Sequence, residues 1–124
     1  MDTPNDRKYT ESHEWIKIDG DILTIGLTEH AVDQLTDVTF VEMKPAGTSV
    51  DAGDSVGEVE SVKTTSDVYS PASGEIIEVN ESLTDAPETL NTEPYSTGWL
   101  VKVKVLDASP LGELMDADAY EASL

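Results

Sequence analysis

Hydrophobic and polar residues alternate most cleanly between Trp99 and Leu106. Val101, Val103 and Val105 fall on one face and Lys102 and Lys104 on the other, the period-two pattern of a half-buried strand. A shorter version runs through Trp15-Ile16-Lys17-Ile18, with Ile16 and Ile18 on one side and Trp15 and Lys17 on the other, and is followed by Ile22-Leu23-Thr24-Ile25. Asp19-Gly20 between them predicts a hairpin with a type I′ turn, because Asp-Gly supplies positive φ angles. Val38 to Met43 returns to strand character, ended by Pro45-Ala46-Gly47. Asp51-Ala52-Gly53-Asp54 predicts a turn, and β-rich runs centred on Val59 and Val68 predict a second hairpin with Lys63 at its tip. Pro71-Ala72-Ser73-Gly74 turns the chain into another strand, Glu75 to Val79. Strand, small-residue turn and valine-rich strand recur on both sides of Lys63, a pattern that expects two quasi-symmetric short sheets with the lysine at their junction.

Helical signals are few. Thr28 is placed to cap a short helix near 29–35, with Glu29 near its N-terminal dipole. Ser109 before Pro110 predicts an N-cap and first turn, with Leu111, Leu114 and Met115 on one face, and Asp116 caps a last short helix holding Ala119 and Tyr120. Residues 109–124 are thus a C-terminal helical tail, 80–98 the longest loop, and 1–7 a frayed tail. Many short strands at close spacing predict a mainly β sandwich or barrel, and 124 residues fit a single domain, 1–124.

The charge narrows the function. Twenty-six Asp and Glu oppose seven Lys and Arg, a net charge of −19. Such a surface repels nucleic acid and anionic membrane. No window approaches the roughly 20 apolar residues that span a bilayer. The polar, acidic opening Met1-Asp2-Thr3-Pro4-Asn5-Asp6 matches neither a secretory signal nor an Arg-rich transit peptide, so the expected setting is cytoplasmic. Two accounts of the acidity stay open: solubility of a small protein, or adaptation to a high-salt cytoplasm, where the Debye length falls to about 3 Å at 1 M. The scarcity of lysine favours the second and a halophilic archaeal source.

Autonomous catalysis is not expected. There are no cysteines and two histidines, His13 and His30. No nucleophile elbow, phosphate-binding glycine loop or zinc-binding H-E-x-x-H is present. Asp116 and Asp118 lack the spacing of a calcium loop, so no metal site is expected. Lys63 stands out as the sole basic residue between Lys44 and Lys102. A lone amine at the tip of a stiff hairpin is either an ordinary solvated lysine or an attachment point for a cofactor.

The run Val59-Glu60-Ser61-Val62-Lys63-Thr64-Thr65-Ser66-Asp67-Val68-Tyr69-Ser70-Pro71-Ala72-Ser73-Gly74-Glu75-Ile76 closely resembles the lipoylation segment of the glycine cleavage H-protein family. Tyr9-Thr10 with His13-Glu14-Trp15, Phe40-Val41-Glu42, Asn91, Pro94-Tyr95, Gly98-Trp99, Leu114-Met115 and Tyr120 match the same family in order, from about residue 8 to 124. The resemblance implies a flattened barrel-sandwich hybrid of antiparallel sheets with a C-terminal helix. It implies a carrier with no chemistry of its own, bearing (R)-lipoate as an amide on Lys63. Glu60, Ser61, Val62, Thr64 and Asp67 would then be read by the lipoate-attaching enzyme, although Glu60 and Asp67 serve equally well as charges that block edge pairing of strands.

The partners implied are a pyridoxal-phosphate glycine decarboxylase, a tetrahydrofolate-dependent aminomethyltransferase and a flavin-containing dihydrolipoamide dehydrogenase, met by a monomer. Glu14 matches an acidic position that could hold the amine of the loaded arm in a cleft; an exposed strand-end glutamate is the alternative. Two departures from the family pattern are Leu27-Thr28 and Leu35-Thr36, the latter replacing a Leu-Gly and putting the turn geometry at Thr36 in question. The rivals are an H-like protein that relays lipoate, another lipoyl carrier, or an unmodified acidic interaction module. Biotin carriers flank their lysine with methionine, whereas Val62 and Thr64 stand here.

Overall fold

The computed structural model describes residues 3–124; the first two residues of the expected tail lie outside them. Among the described residues, nine strands form two antiparallel sheets. β1 (Lys8–Tyr9), β2 (Glu14–Asp19), β3 (Ile22–Leu27), β5 (Ser49–Val50), β8 (Gly74–Val79) and β9 (Val101–Val105) make a six-stranded sheet in the order β1-β2-β3-β9-β8-β5. β4 (Val38–Met43), β6 (Ser55–Ser61) and β7 (Thr65–Tyr69) make a three-stranded sheet, β4-β6-β7. The inner faces meet in one apolar cluster that includes Ile16, Leu23, Ile25, Val41, Val56, Val59, Val68, Ile76, Val101 and Val103. The mainly β sandwich expected from strand spacing is therefore the fold found. Lys63 sits at the end of the three-stranded sheet rather than at a junction between two quasi-symmetric ones.

The first hairpin turns one residue later than expected. Asp19 pairs with Ile22, so the turn is Gly20-Asp21, and of the two only Gly20 has positive φ, +62°. Glycine alone at the first position is the requirement of a type II′ turn rather than I′. β2 also departs from simple alternation: Glu14, Trp15 and Ile16 are all buried, whereas Ile18 is exposed. Ile16 enters the main core, but Trp15 joins a second cluster with Tyr9, Ala117 and Tyr120. Its indole N–H donates to the Pro94 carbonyl at 2.8 Å, and its ring lies over Gly26, its cross-strand partner. A Cβ at Gly26 would fall 2.4 Å from the ring, so only glycine fits there.

Arg7, the last residue of the expected tail, is packed: its guanidinium lies 4.6 Å from the Trp15 ring and donates to the Tyr95 carbonyl at 2.9 Å. The expected loop at 80–98 contains two single helical turns, α2 (Ser82–Asp85) and α3 (Thr89–Thr92). Each exists to bury one leucine, Leu83 or Leu90, a tertiary gain that polar local sequence does not announce. Asn91 on α3 supports the turn after α1 (Glu29–Leu35), donating to the Thr36 carbonyl at 2.5 Å and accepting from the Val38 N–H at 3.0 Å. Thr36 does adopt a glycine-like backbone, φ +65°, a strained conformation for a β-branched residue that the asparagine clamp holds in place.

The tail is helical but broken. A 3₁₀ helix spans Ser109–Glu113 and α4 spans Ala117–Ser123. Ser109 is not the N-cap: its N–H is received by Asp107 Oδ1 at 3.0 Å. Asp116 caps α4 as expected, accepting from the Ala119 N–H at 2.8 Å. Between the two helices, Met115 exchanges backbone hydrogen bonds with Tyr9, which ties the C-terminal segment to β1. Among the described residues, no helix is long and apolar enough to cross a membrane.

Candidate functional site

Lys63 is exposed at the tip of the β6–β7 hairpin. The strands pair from Ser55 opposite Tyr69 to Glu60 opposite Thr65, leaving a short turn at Val62-Lys63-Thr64. Ser61 organises it. Its backbone N–H donates to the Thr64 carbonyl at 2.8 Å, and its hydroxyl accepts from the N–H groups of Lys63 (3.3 Å) and Thr64 (3.1 Å) while donating to the Thr64 carbonyl. A hydroxyl has one donor and two acceptor positions, all used here. The Val62 N–H is held by the Asp37 carbonyl at 3.1 Å. The backbone is therefore fixed, while the Lys63 side chain makes no ion pair among the described residues.

The predicted recognition residues divide between two faces. Thr64 lines a cleft of about 510 Å³ beside Lys63, with Thr65 and Ser66, His13 and Ser12, and an apolar floor of Leu27, Ala31 and Leu35. Glu60 and Asp67 instead point outward from the three-stranded sheet; Asp67 sits opposite Glu58, which sits opposite Glu42. Asp67 lies on the edge strand β7, where a charge discourages strand pairing. Val62 is 66 % exposed.

Glu14 is not an exposed strand-end residue. It is fully buried, at the wall of a second, larger cleft of about 770 Å³ lined also by Tyr9, Thr10, Ser12, Tyr69, Ser70 and Pro71. Its Oε1 accepts from Thr10 Oγ1 (2.5 Å) and Ser12 Oγ (2.6 Å), and its Oε2 from the Tyr69 N–H (3.3 Å). Burial pushes the carboxyl pKa up, against these three hydrogen bonds, which pull it down. No cation pairs with the carboxylate among the described residues.

Ser12 lines both clefts. Sequence reasoning missed Thr10, Ser12 and Tyr69. Thr10 and Ser12 reach Glu14 through a turn closed by the His13 N–H on the Thr10 carbonyl, so strand alternation gave no signal for them, and Tyr69, 55 residues from Glu14, left none.

His13 has positive φ, +70°, which histidine tolerates better than β-branched residues. The tight connection there, with the His13 N–H on the Thr10 carbonyl, sends His13 toward α1 and Glu14 toward Tyr69. His13 is hydrogen-bonded, its Nδ1 lying 2.8 Å from Tyr120 Oη. His13 and Glu14 do not pair. No group of three or more metal-ligating side chains occurs among the described residues.

This geometry has close counterparts among known proteins. The family model described as glycine cleavage H-protein matches residues 7–124. A glycine cleavage system H protein of Phenylobacterium zucineum is 53% identical over 115 residues, 93% of this chain and 95% of its own. The mitochondrial glycine cleavage system H protein 2 of Arabidopsis thaliana is also 53% identical, over 93% of this chain and 74% of its own. The crystal structure of a glycine cleavage system H protein from Mycobacterium marinum superposes with a TM-score of 0.88 at 45% identity, covering 97% of each chain. An exposed lysine on a fixed turn, two adjoining clefts and a match over nearly the whole chain lead to one conclusion: this chain belongs to the glycine cleavage H-protein family.

Proposed function

We propose that Lys63 is the lysine through which this chain serves as the lipoyl carrier of the glycine cleavage system, and that the arm folds from the hairpin past Ser12 to Glu14. The observation that carries this is that Ser12 lines both clefts, one holding an exposed amine and the other a buried carboxylate, neither in an ion pair among the described residues. Lipoate supplies the disulfide sulfurs that a chain without cysteine lacks. The Leu27, Ala31 and Leu35 floor suits an alkyl arm, while the charge of Glu14 suits an amine. Holding that amine away from water protects a hydrolysable load. A tethered arm also makes transfer between active sites a local search at high effective concentration.

The partners in this reading are a pyridoxal-phosphate glycine decarboxylase, a tetrahydrofolate-dependent aminomethyltransferase, dihydrolipoamide dehydrogenase and a lipoate-attaching enzyme that reads Glu60, Ser61, Val62, Thr64 and Asp67. The carrier works as a cytoplasmic monomer, and the net charge of −19 favours a halophilic archaeal setting. Intact-mass and peptide-mapping measurements on protein from its native host test the attachment. One lipoyl increment on Lys63, lost together with glycine cleavage in a folded Lys63→Arg variant, is the expected result. An unmodified Lys63 in cells consuming glycine with lipoate available overturns it.

A further inference from the structure

A chain of hydrogen bonds links α1, the C-terminal helix α4 and the Lys63 cleft. The Ala31 N–H donates to Thr28 Oγ1 at 3.2 Å; Thr28 Oγ1 lies 2.7 Å from Tyr120 Oη, which lies 2.8 Å from His13 Nδ1. Counting hydrogens fixes the direction of each bond. Thr28 is fully buried, and Tyr120 Oη is the acceptor its hydroxyl hydrogen reaches. Tyr120 Oη has one hydrogen, which is then free to go to His13 Nδ1. The opposite direction strands the Thr28 hydroxyl hydrogen in the interior, at the full desolvation penalty of an unmade hydrogen bond.

His13 Nδ1 is therefore an acceptor, and the neutral ring carries its proton on Nε2. Burial, joined by the His30 ring 4.7 Å away, pushes the His13 pKa below its ordinary 6.5, which keeps the ring neutral near pH 7. His13 lines the cleft beside Lys63. Nε2 has no partner among the described residues, and no buried side-chain nitrogen there lacks one, so Nε2 is not buried, and His13 lines that cleft.

We propose that His13 is a positioning residue that distinguishes acylated from free Lys63, its Nε2–H held as a donor by the Thr28–Tyr120 relay. A free lysine ammonium has three N–H donors and no acceptor, so it pairs with water or with the hydroxyl and Gln34 amide oxygens of the cleft but never with this N–H. Acylation replaces the ammonium with an amide whose carbonyl accepts, and the same N–H then docks the arm. The bare lysine stays in solvent, accessible to an attaching enzyme, and the modified one folds in. The proposal rests on Lys63 being the acylated residue.

The test uses the full chain, apo and enzymatically lipoylated, with ¹⁵N-labelled histidine and the site of lipoylation mapped by mass. Long-range ¹H–¹⁵N NMR is expected to show the Nε2–H form of His13 in both states, with the His13 Nε2 signal shifting on lipoylation and His30 unmoved. Tyr120→Phe retains the ring stacked on Tyr9 but removes the relay hydrogen. His13 should then populate both tautomers, and a water-soluble phosphine should reduce the arm's disulfide up to about fivefold faster, the factor for one lost neutral hydrogen bond. An Nδ1–H form in the unaltered protein, an unchanged Nε2 signal on lipoylation, or an unchanged reduction rate in Tyr120→Phe overturns the proposal. A lipoyl group mapped away from Lys63 overturns the attachment assignment instead, and this proposal with it.

Discussion

The tip at Lys63 and the corner at Glu14 lie on either side of Ser12, yet they are held by opposite means. Four consecutive residues, Ser61 to Thr64, supply most of the hydrogen bonds that fix the tip, and its side chains stand in solvent. Distant segments build the corner. Tyr69 reaches Glu14 across 55 residues, Pro94 reaches Trp15 across 79, and Tyr120 reaches His13 across 107. An attachment point must be presented to other proteins and needs only a stiff backbone. A receiving pocket must exclude water around a charge, which takes buried surface from several parts of the chain. Damage should therefore stay local at the tip and spread from the corner.

Gly26→Ala should have the largest effect on folding. The new methyl group meets a buried, hydrogen-bonded Trp15 ring at 2.4 Å, and such overpacking costs about 3 kcal/mol. Thermal and urea denaturation should show the loss, and the C-terminal segment, packed on the same aromatic cluster, should gain hydrogen-exchange lability. A melting temperature unchanged by this substitution would break the comparison at its strongest point.

Glu14→Gln should act in the other direction. Burial raises the Glu14 pKa above its ordinary 4.5, so the folded protein binds this proton more readily than the unfolded chain. The resulting stability is present in full below pH 4.5 and is lost as pH rises through the folded value. At pH 7 the carboxylate is thus a burden that Glu14→Gln removes, but the new NH2 cannot accept from Tyr69 or from Thr10 and Ser12 as the oxygen did, so the net gain should stay below about 1 kcal/mol while retention of an amine weakens. The stability difference between variant and parent should shrink as pH falls through the folded value toward 4.5 and level off below it. Parallel melting curves from pH 4 to 7 check this, and a constant difference would remove the electrostatic account.

Ser61→Ala should have the smallest effect on folding. It removes two acceptor contacts and one donor contact of the hydroxyl, but in an exposed turn where water replaces them, at about 0.5 kcal/mol. Lipoylation in vitro should slow as the Lys63 backbone loosens, with the corner unaffected in hydrogen exchange. Exchange changes reaching Trp15 would show that tip and corner are not separate.

The same division explains what the chain discloses before it is folded. The lysine hairpin was legible because β-rich runs and its turn are neighbours in sequence. So were the Thr28 and Asp116 caps, which act over three residues. The first turn was legible only to within one residue: Asp-Gly announces a turn, but the pairing of Asp19 with Ile22 decides which two residues form it. Helices α2 and α3 were not legible at all, since each is one turn long and exists to bury a single leucine. Glu14 was visible as a candidate, but its environment was not.

Sequence alone determined the alternating strands, the position of the one basic residue between Lys44 and Lys102, and the absence of a thiol. It also determined the match to a family of carriers. Each of these depends on residue identity and short-range geometry, which the chain carries in any conformation. Only the tertiary structure decided that Glu14 is buried with no ion pair among the described residues, that Ser12 lines both clefts and that His13 lies against one of them. Desolvation and hydrogen-bond direction depend on what surrounds a group, and here the surroundings come from residues far apart in the chain.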